Sequence, residues 1–410
     1  MPKTLLIIGA GAEQVPAYQA AKARGLTVVG SDGNPEAPAL AWADHRLIAS
    51  TRDANATLAA VQAFTAHNAH AAIDGVMTIA NDVPYTVAVV AQALGLPGIP
   101  LQAARSVSHK LLMKQAFAAH GVPCPWFSAV ADAAELARLV HGGGDRRFVI
   151  KPVDGRGARG VLLIDRHSDL DWAFAESRRW GDCGEVILEA FTPGLQLSTE
   201  SYVLDGVAHT PAIAERNYEH LERFAPYIIE NGGTIPALLD AAQLARIDAV
   251  IAAGAAALGV REGIVKGDLI VTPEGEVVIV ELALRLSGGW FASHQIPAAS
   301  GVDLVAAAMA YALGEPVSAA QLQPTRQRAT AIRYWFPPAG TISAIHGEAA
   351  LATLPGLISH GFFRQVGDQQ PTIRMHPDRF GFLIVEADSR DAALQRVQQG
   401  LDLVHIEVTP

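Results

Sequence analysis

Two short apolar stretches, 148–151 and 161–164, flank the run Asp154-Gly-Arg-Gly-Ala-Arg-Gly160. Strands this close in sequence pair as an antiparallel hairpin, because a parallel crossover needs a far longer connection. The loop is not a P-loop: no Gly-Lys-Ser/Thr follows it, and no helix opens there. Its glycines allow backbone N–H groups to close around phosphate oxygens, and Arg156 and Arg159 add positive charge. An ordinary exposed hairpin is the competing reading. Lys151 ends the first strand, ahead of Pro152. It suits a buried phosphate contact or, as well, a lysine snorkelling from a strand end.

The rest of the chain surrounds this hairpin with other architecture. Thr4 to Ile8 reads as a buried strand, followed by Gly9 and Gly11, a helical stretch and a second strand at 26–30. That is a βαβ opening, and the pattern continues to about residue 100 as a doubly wound α/β unit. The glycine pair lacks the third glycine of a dinucleotide fingerprint. It is either a tight turn or a helix N-terminus that holds an anion. A helix is expected over 106–120, a hairpin turn at Asp205-Gly206, a return strand over 207–213 and a long helix over 241–258. The end of the chain reads as β-α-β over 382–408.

A chain of 410 residues, half of them hydrophobic, has enough apolar surface for two or three domains. The net charge is −10 and no Lys/Arg run occurs, which argues against a nucleic-acid partner. No stretch reaches the roughly 18 apolar residues of a spanning helix, and the N-terminus carries no basic region and cleavage site. The expectation is a cytoplasmic protein with no membrane partner. Cys124 and Cys183 fit no disulfide framework or zinc spacing. His45, His67, His70, His109, His209, His220 and His294 are scattered and read as surface or packing residues. Ser287 and Ser293 lack a nucleophile elbow.

Asp268 and Glu281 form the next constellation. They stand on two strands joined by the turn Pro273-Glu-Gly275, so they can project to one face. Two carboxylates on one face repel unless a cation lies between them, and hard oxygen ligands beside phosphates suit Mg²⁺. Arg285, four residues past Glu281, could neutralise phosphoryl charge. A salt-bridged hairpin with Arg285 as partner remains the alternative.

The order of these motifs is more specific than any one of them. A lysine-bearing helix precedes Phe148-Val-Ile-Lys-Pro152 and the glycine loop. Then follow Val186-Ile-Leu-Glu-Ala-Phe-Thr-Pro-Gly194, Leu197-Ser-Thr-Glu200, Gly267-Asp268 and Val280-Glu-Leu-Ala-Leu-Arg-Leu-Ser-Gly-Gly289. Along nearly the whole chain this resembles the ATP-grasp superfamily. The run Asp378-Arg-Phe-Gly-Phe382 looks like the C-terminal segment of one branch. That branch holds biotin carboxylase, N5-carboxyaminoimidazole ribonucleotide synthetase, carbamoyl phosphate synthetase and the L-amino-acid ligases. Phe224-Ala-Pro-Tyr-Ile-Ile-Glu-Asn-Gly-Gly-Thr-Ile-Pro236 is similar to a segment of the amino-acid ligases most of all.

The resemblance implies a mixed α/β and α+β fold. A Rossmann-like pre-ATP-grasp domain (1–100) would lead through a helical linker (101–122) to a small lobe (123–192). A large lobe (193–325) and a β-rich C-terminal segment packed on it (326–410) would follow. ATP would lie between the lobes, with Mg²⁺, or Mn²⁺ as an alternative ion. By this resemblance Lys110 and Lys151 touch phosphates, and the loop with Gly155, Arg156, Gly157 and Gly160 is a lid. Glu189, Ala190 and Phe191 hold adenine mainly through backbone groups, and Glu200 stands near the ribose and metal end. Asp268 and Glu281 hold the metal, and Arg285 and Lys151 act on the transferred phosphoryl group. Three positions depart from the pattern: Ala283 where Asn is frequent, Gln196 where Glu is frequent, and His109 where Asp commonly precedes the helix lysine.

The implied reaction joins a small carboxylate to an amine through an acyl phosphate, releasing ADP and phosphate. Arg216, Tyr218, Arg223, Glu230 and Arg285 form a basic and aromatic set suited to gripping the acid. A carboxylase that activates bicarbonate, an ATP-binding pseudoenzyme and, third, a nicotinamide oxidoreductase are the rival readings. Homodimers are usual among relatives.

Overall fold

A computed structural model of the protein describes residues 2–68 and 72–410; Met1 and His70 lie outside the described residues. The chain opens with a parallel sheet in the order His45–Ile48, Thr27–Asp32, Thr4–Ile8, Gly75–Met77. The central strand, TLLII, is buried along its whole length, as expected of a parallel strand covered on both faces. The turn after it ends the question of a dinucleotide. Ala10 N–H donates to Asp32 Oδ2 at 2.8 Å and Asn34 N–H to Asp32 Oδ1 at 2.9 Å. The carboxylate of Asp32 therefore holds the turn from within, which sets a negative charge beside the glycines. Gly9 adopts φ +101° there, against Asn81.

The glycine hairpin belongs to an antiparallel sheet in the order Phe127–Val130, Val186–Ala190, Phe148–Pro152, Leu162–Ile164. A larger sheet faces it. Its path runs Val277–Ala283, Gly263–Val271, Leu195–Leu204, Ile213–Arg216, Gly233–Ile235, Ala329–Trp335, Gly381–Ala387, Leu357–Phe362. The sheet thus continues unbroken from the central part of the chain into the C-terminal part. A short sheet of Gln369–Gln370, Gly340–His346 and His405–Thr409 lies beyond it. The architecture is the mixed α/β and β-rich one that the motif order implies. No helix among the described residues is long and apolar enough to cross a membrane.

Three local expectations need correction. The helix expected over 106–120 is two helices, Leu101–Val107 and Lys110–Ala119. His109 breaks them apart: it leaves helical geometry and caps the second, its Nδ1 accepting from Leu112 N–H at 3.4 Å. Lys110 is therefore a first-turn residue rather than a mid-helix one. The return strand over 207–213 divides into Val207–His209 and Ile213–Arg216, with Pro211, which can donate no ladder bond, in the gap. The final β-α-β is no single unit, because Gly381–Ala387 and His405–Thr409 belong to different sheets.

The N-terminal sheet and the central region share one core. Leu5, Ile7 and Tyr18 pack with Leu304, Met309 and Phe291. At Gly75 a β-carbon would come within 2.7 Å of Ala312 O, so this glycine permits the close approach. A parallel bridge between Ile79 and Leu286 then joins the two regions, with Ala80 N–H donating to Leu286 O at 2.9 Å. That bridge sets Asp82 beside Arg285.

Candidate active site

Between the antiparallel sheet and the large sheet lies a cavity of about 570 Å³. Lys151 reaches into it from the strand that precedes the glycine loop. Val149 stands opposite Glu189 in the sheet, so the two-residue strand period puts Lys151 and Glu189 on one face. Lys151 Nζ lies 2.9 Å from Glu189 Oε1, and Lys114 Nζ lies 3.5 Å from Glu189 Oε2. All three are nearly inaccessible, at 5%, 3% and 0% exposure for Lys151, Glu189 and Lys114. Burial alone would raise the Glu189 carboxyl, but the two ammonium groups outweigh it and hold the pKa below its ordinary value. Burial dominates at Lys114 and lowers its pKa. Lys114 was missed in the sequence, although its i, i+4 spacing from Lys110 sets both on one helix face.

This geometry changes the expected role of Glu189, whose side chain faces lysines rather than a base. It also changes the hinge. Ala190 N–H donates to Trp126 O at 2.8 Å and Phe191 N–H to Arg147 O at 3.1 Å. Only their carbonyls remain for a ligand. The next N–H on the cavity wall is that of Thr192, which has no backbone partner among the described residues.

Asp268 and Glu281 stand directly opposite each other on paired strands, and both line the cavity. Lys266 Nζ lies 2.5 Å from Asp268 Oδ2 and Arg216 Nη1 2.8 Å from Oδ1. Burial would raise the Asp268 carboxyl; these two cations hold it far below the usual carboxylate range. Its buried Oδ1 is paired by charge but has no aligned hydrogen bond. Two facing carboxylates, one with an unsatisfied buried oxygen, fit a hard divalent cation. Lys110 joins this group to the glycine loop, with Nζ 3.7 Å from Glu281 Oε1 and donating to Gly155 O at 2.7 Å.

Arg285 takes a different partner from the hairpin carboxylates. It forms a short ion pair with Asp82 and donates to Leu286 O at 3.1 Å. The N-terminal region thereby aims this guanidinium. Glu13 does similar work beside it, accepting from Gly289 N–H at 2.6 Å, and burial pushes its carboxyl up. Neither Asp82 nor Glu13 lies in a motif, so only the folded contact reveals them.

Arg216 is also paired with Glu230, and its guanidinium lies 5.5 Å from the centre of the Tyr218 ring. The Arg379 guanidinium stacks 3.6 Å from the centre of the Tyr334 ring. Arg379 Nε donates to His376 O at 2.9 Å, and Arg379 has no carboxylate partner among the described residues. Sequence reasoning quoted Arg379 within a segment but gave it no role. His376 N–H donates to Gly157 O at 3.1 Å, so the C-terminal segment touches the glycine loop.

Three expected site residues stand off the cavity wall. Glu200 is wholly buried, its oxygens accepting from Ser287 N–H and Oγ. Arg223 is exposed and turns toward Phe224 and Phe336 O. Gly160 packs against Ser177 and Trp180, while Gly155, Arg156 and Gly157 line the cavity. Apart from the cavity, His109, Cys183 and Glu185 gather within 4.8 Å. Since His109 Nδ1 accepts from Leu112 N–H, its proton sits on Nε2, facing Glu185 at 3.4 Å. The ring then has no lone pair free for a metal, and the cluster serves as a helix cap and a hydrogen bond to Glu185.

Residues 18–98 match the model of the ATP-grasp N-terminal domain and residues 107–289 that of the ATP-grasp domain. Residues 333–409 match the L-amino acid ligase C-terminal domain 2. The chain belongs to the ATP-grasp superfamily. Within it, the chain stands on the branch of biotin carboxylase, N5-carboxyaminoimidazole ribonucleotide synthetase and the L-amino-acid ligases. An uncharacterized protein of Sinorhizobium fredii is 27% identical over 344 residues, covering 82% of this chain and 69% of that protein. The crystal structure of the L-amino acid ligase from Bacillus licheniformis has a TM-score of 0.83 at 21% identity, covering 100% of this chain and 99% of that one. That of phosphoribosylglycinamide synthetase from Anaerococcus prevotii has a TM-score of 0.75 at 18% identity, with full coverage of both chains. Membership places the chain among ligases and carboxylases that share an acyl-phosphate step and release ADP.

Proposed function

We propose that the protein is an ADP-forming carboxylate–amine ligase that makes an amide or peptide bond. The observation that carries this reading is one cavity lined by Lys110, Lys151 and Arg285 together with Arg379, a guanidinium with no carboxylate partner among the described residues. A nucleotide phosphate and a carboxylate are the two anions such a cavity can bring together. The C-terminal match to an L-amino acid ligase domain supports the amine as acceptor.

In the first step a carboxylate oxygen of the acid attacks the γ-phosphorus of ATP in line. The bond from γ-phosphorus to the bridging oxygen breaks, and ADP leaves. Lys151 and Lys110 neutralise charge on the phosphates, and Arg285 stabilises the transferred phosphoryl group. Asp268 and Glu281 would hold Mg²⁺, which when bound neutralises phosphate charge and orients the oxygens. In the second step the amine nitrogen attacks the acyl carbon, loses a proton, and inorganic phosphate departs. The glycine loop over Gly155 to Gly157 shields the acyl phosphate from water. Arg379, Arg216 and Tyr218 seat the acid, and Ala190 O with Thr192 N–H read the adenine edge.

Coupled detection of ADP with a panel of amino acids and amines tests the proposal. ADP release that requires both an acid and an amine is expected. Release of AMP and pyrophosphate would reject the mechanism, and release that requires bicarbonate would move the protein to the carboxylases.

A further inference from the structure

We propose that the ammonium group of Lys266 replaces one metal ion, so that the nucleotide site takes a single divalent cation held by Asp268 and Glu281. The inference rests on the nucleotide-binding reading above and adds the number of ions. Strand register carries it. Lys266 stands directly opposite Ala283, and Asp268 directly opposite Glu281. Opposed residues of an antiparallel pair share a face, and residues two apart on one strand share it too. All four side chains therefore share one face, and those of Lys266, Asp268 and Glu281 line the cavity.

At one corner of this square the Ala283 methyl offers no ligand atom. Its neighbour Lys266 fills the corner with a cation, whose Nζ lies 2.5 Å from Asp268 Oδ2. An ammonium group has three donors and no acceptor, so it cannot ligate a metal. Mg²⁺ requires near-octahedral oxygen ligands. Asp268 already has Lys266 at one oxygen and Arg216 at the other. Asp268, Glu281 and Glu230 are balanced by Lys266, Arg216 and Lys110. The charges of these six side chains cancel before any ion arrives. A first ion can bridge the facing carboxylates from the open side of Glu281. A second would meet a fixed ammonium group and a methyl group at this corner, and the Glu200 carboxylate opposite Lys266 is already taken by Ser287.

The test counts Mn²⁺ by electron paramagnetic resonance in the purified full-length protein, saturated with β,γ-methylene-ATP. Nucleotide binding is measured separately by calorimetry. One bound Mn²⁺ per chain is expected for the wild type. The double variant Lys266→Ser with Ala283→Asn is expected to bind two, since it removes the ammonium group and restores an oxygen. The single variant Lys266→Met should still bind one ion, since it removes the ammonium group without supplying an oxygen, and two ions there would overturn the inference. Two ions in the wild type, with nucleotide bound, overturn the inference and leave the function intact. Failure of the wild type to bind nucleotide at all overturns both.

Discussion

Replacing Glu200 with glutamine is expected to stabilise the protein at alkaline pH and to change little at acid pH. Glu200 has no exposed surface. Burial pushes its carboxyl from 4.5 up to about 7, against the opposing help of Ser287, Arg285 and Lys266. Between those two values the folded chain holds a proton that the unfolded chain has lost. Stability therefore falls as pH rises through this window, and the loss is complete above about 7. At about 1.4 kcal/mol per pH unit the loss comes to about 3 kcal/mol. Glutamine cannot ionise, its oxygen still accepts from Ser287 N–H, and the serine hydroxyl can turn to accept from the amide. For a chain of this length unfolding as one unit, with an entropy of about 2 cal/mol/K per residue, about 3 kcal/mol corresponds to ~4 °C in Tm. Thermal melts of both proteins from pH 5 to 8.5 read the effect directly. The gap in Tm should widen in favour of Glu200→Gln as pH rises, by about 3 °C over that range. Two parallel curves would show that Glu200 titrates as an ordinary exposed carboxylate, and the reasoning from burial would be refuted.

Glu189→Gln leaves two buried ammonium groups without their carboxylate, and a loss of about 3–5 kcal/mol is expected in denaturant unfolding; an unchanged midpoint would contradict the pairing. Arg285→Ala should lower turnover by about 100-fold or more while ADP affinity by calorimetry stays within about threefold; an unchanged rate would remove Arg285 from the chemistry. Asp82→Asn loosens the same guanidinium by removing its carboxylate partner, so kcat should fall by about tenfold with nucleotide affinity retained. Arg379→Met should raise KM for the acid about 10- to 100-fold without moving KM for ATP, the scale of a lost charge-assisted bond; equal changes in both would place Arg379 at the nucleotide instead.

The sequence made the hairpin residues legible because a short turn fixes register. Pro273 to Gly275 joins two strands and sets Val271 opposite Val277, but a β-bulge between Asp268 and Leu269 shifts the register by one, and this bulge, which the turn does not encode, brings Asp268 opposite Glu281 rather than Val280. The parallel opening was legible for the same reason, since TLLII and its glycines state a local pattern. Contacts across long separations were not. Asp82 meets Arg285 across 203 positions, and Glu13 meets Gly289 across 276. No periodicity encodes either. Glu189 shows a second kind of gap. Its motif stands out in the sequence and lies on the strand Val186–Ala190, but the partners of its side chain depend on where Lys114 and Lys151 fall, and packing decides that. Arg223 shows the converse: a charged residue close in sequence to Arg216 need not share its cavity.

The glycine loop and the acid-binding end meet at one short segment of the C-terminal part. His376 N–H donates to Gly157 O, while Arg379, three residues further on, lies over Tyr334. A β-carbon at Gly157 would lie 3.6 Å from Pro377 Cδ, so the loop packs on the same segment. His376 itself is kept neutral, its pKa driven well below 6.5 by burial first and then by the nearby Arg379 and Arg216. A neutral ring in this position adds no positive charge to a corner that already holds two guanidinium groups. Arg379 and the glycine loop thus rest on a common support built from residues 376–379. If the acid seats against Arg379 as proposed, it and a loop closed on Gly157 would be parts of one arrangement, which would tie shielding of the acyl phosphate to the presence of the molecule that forms it.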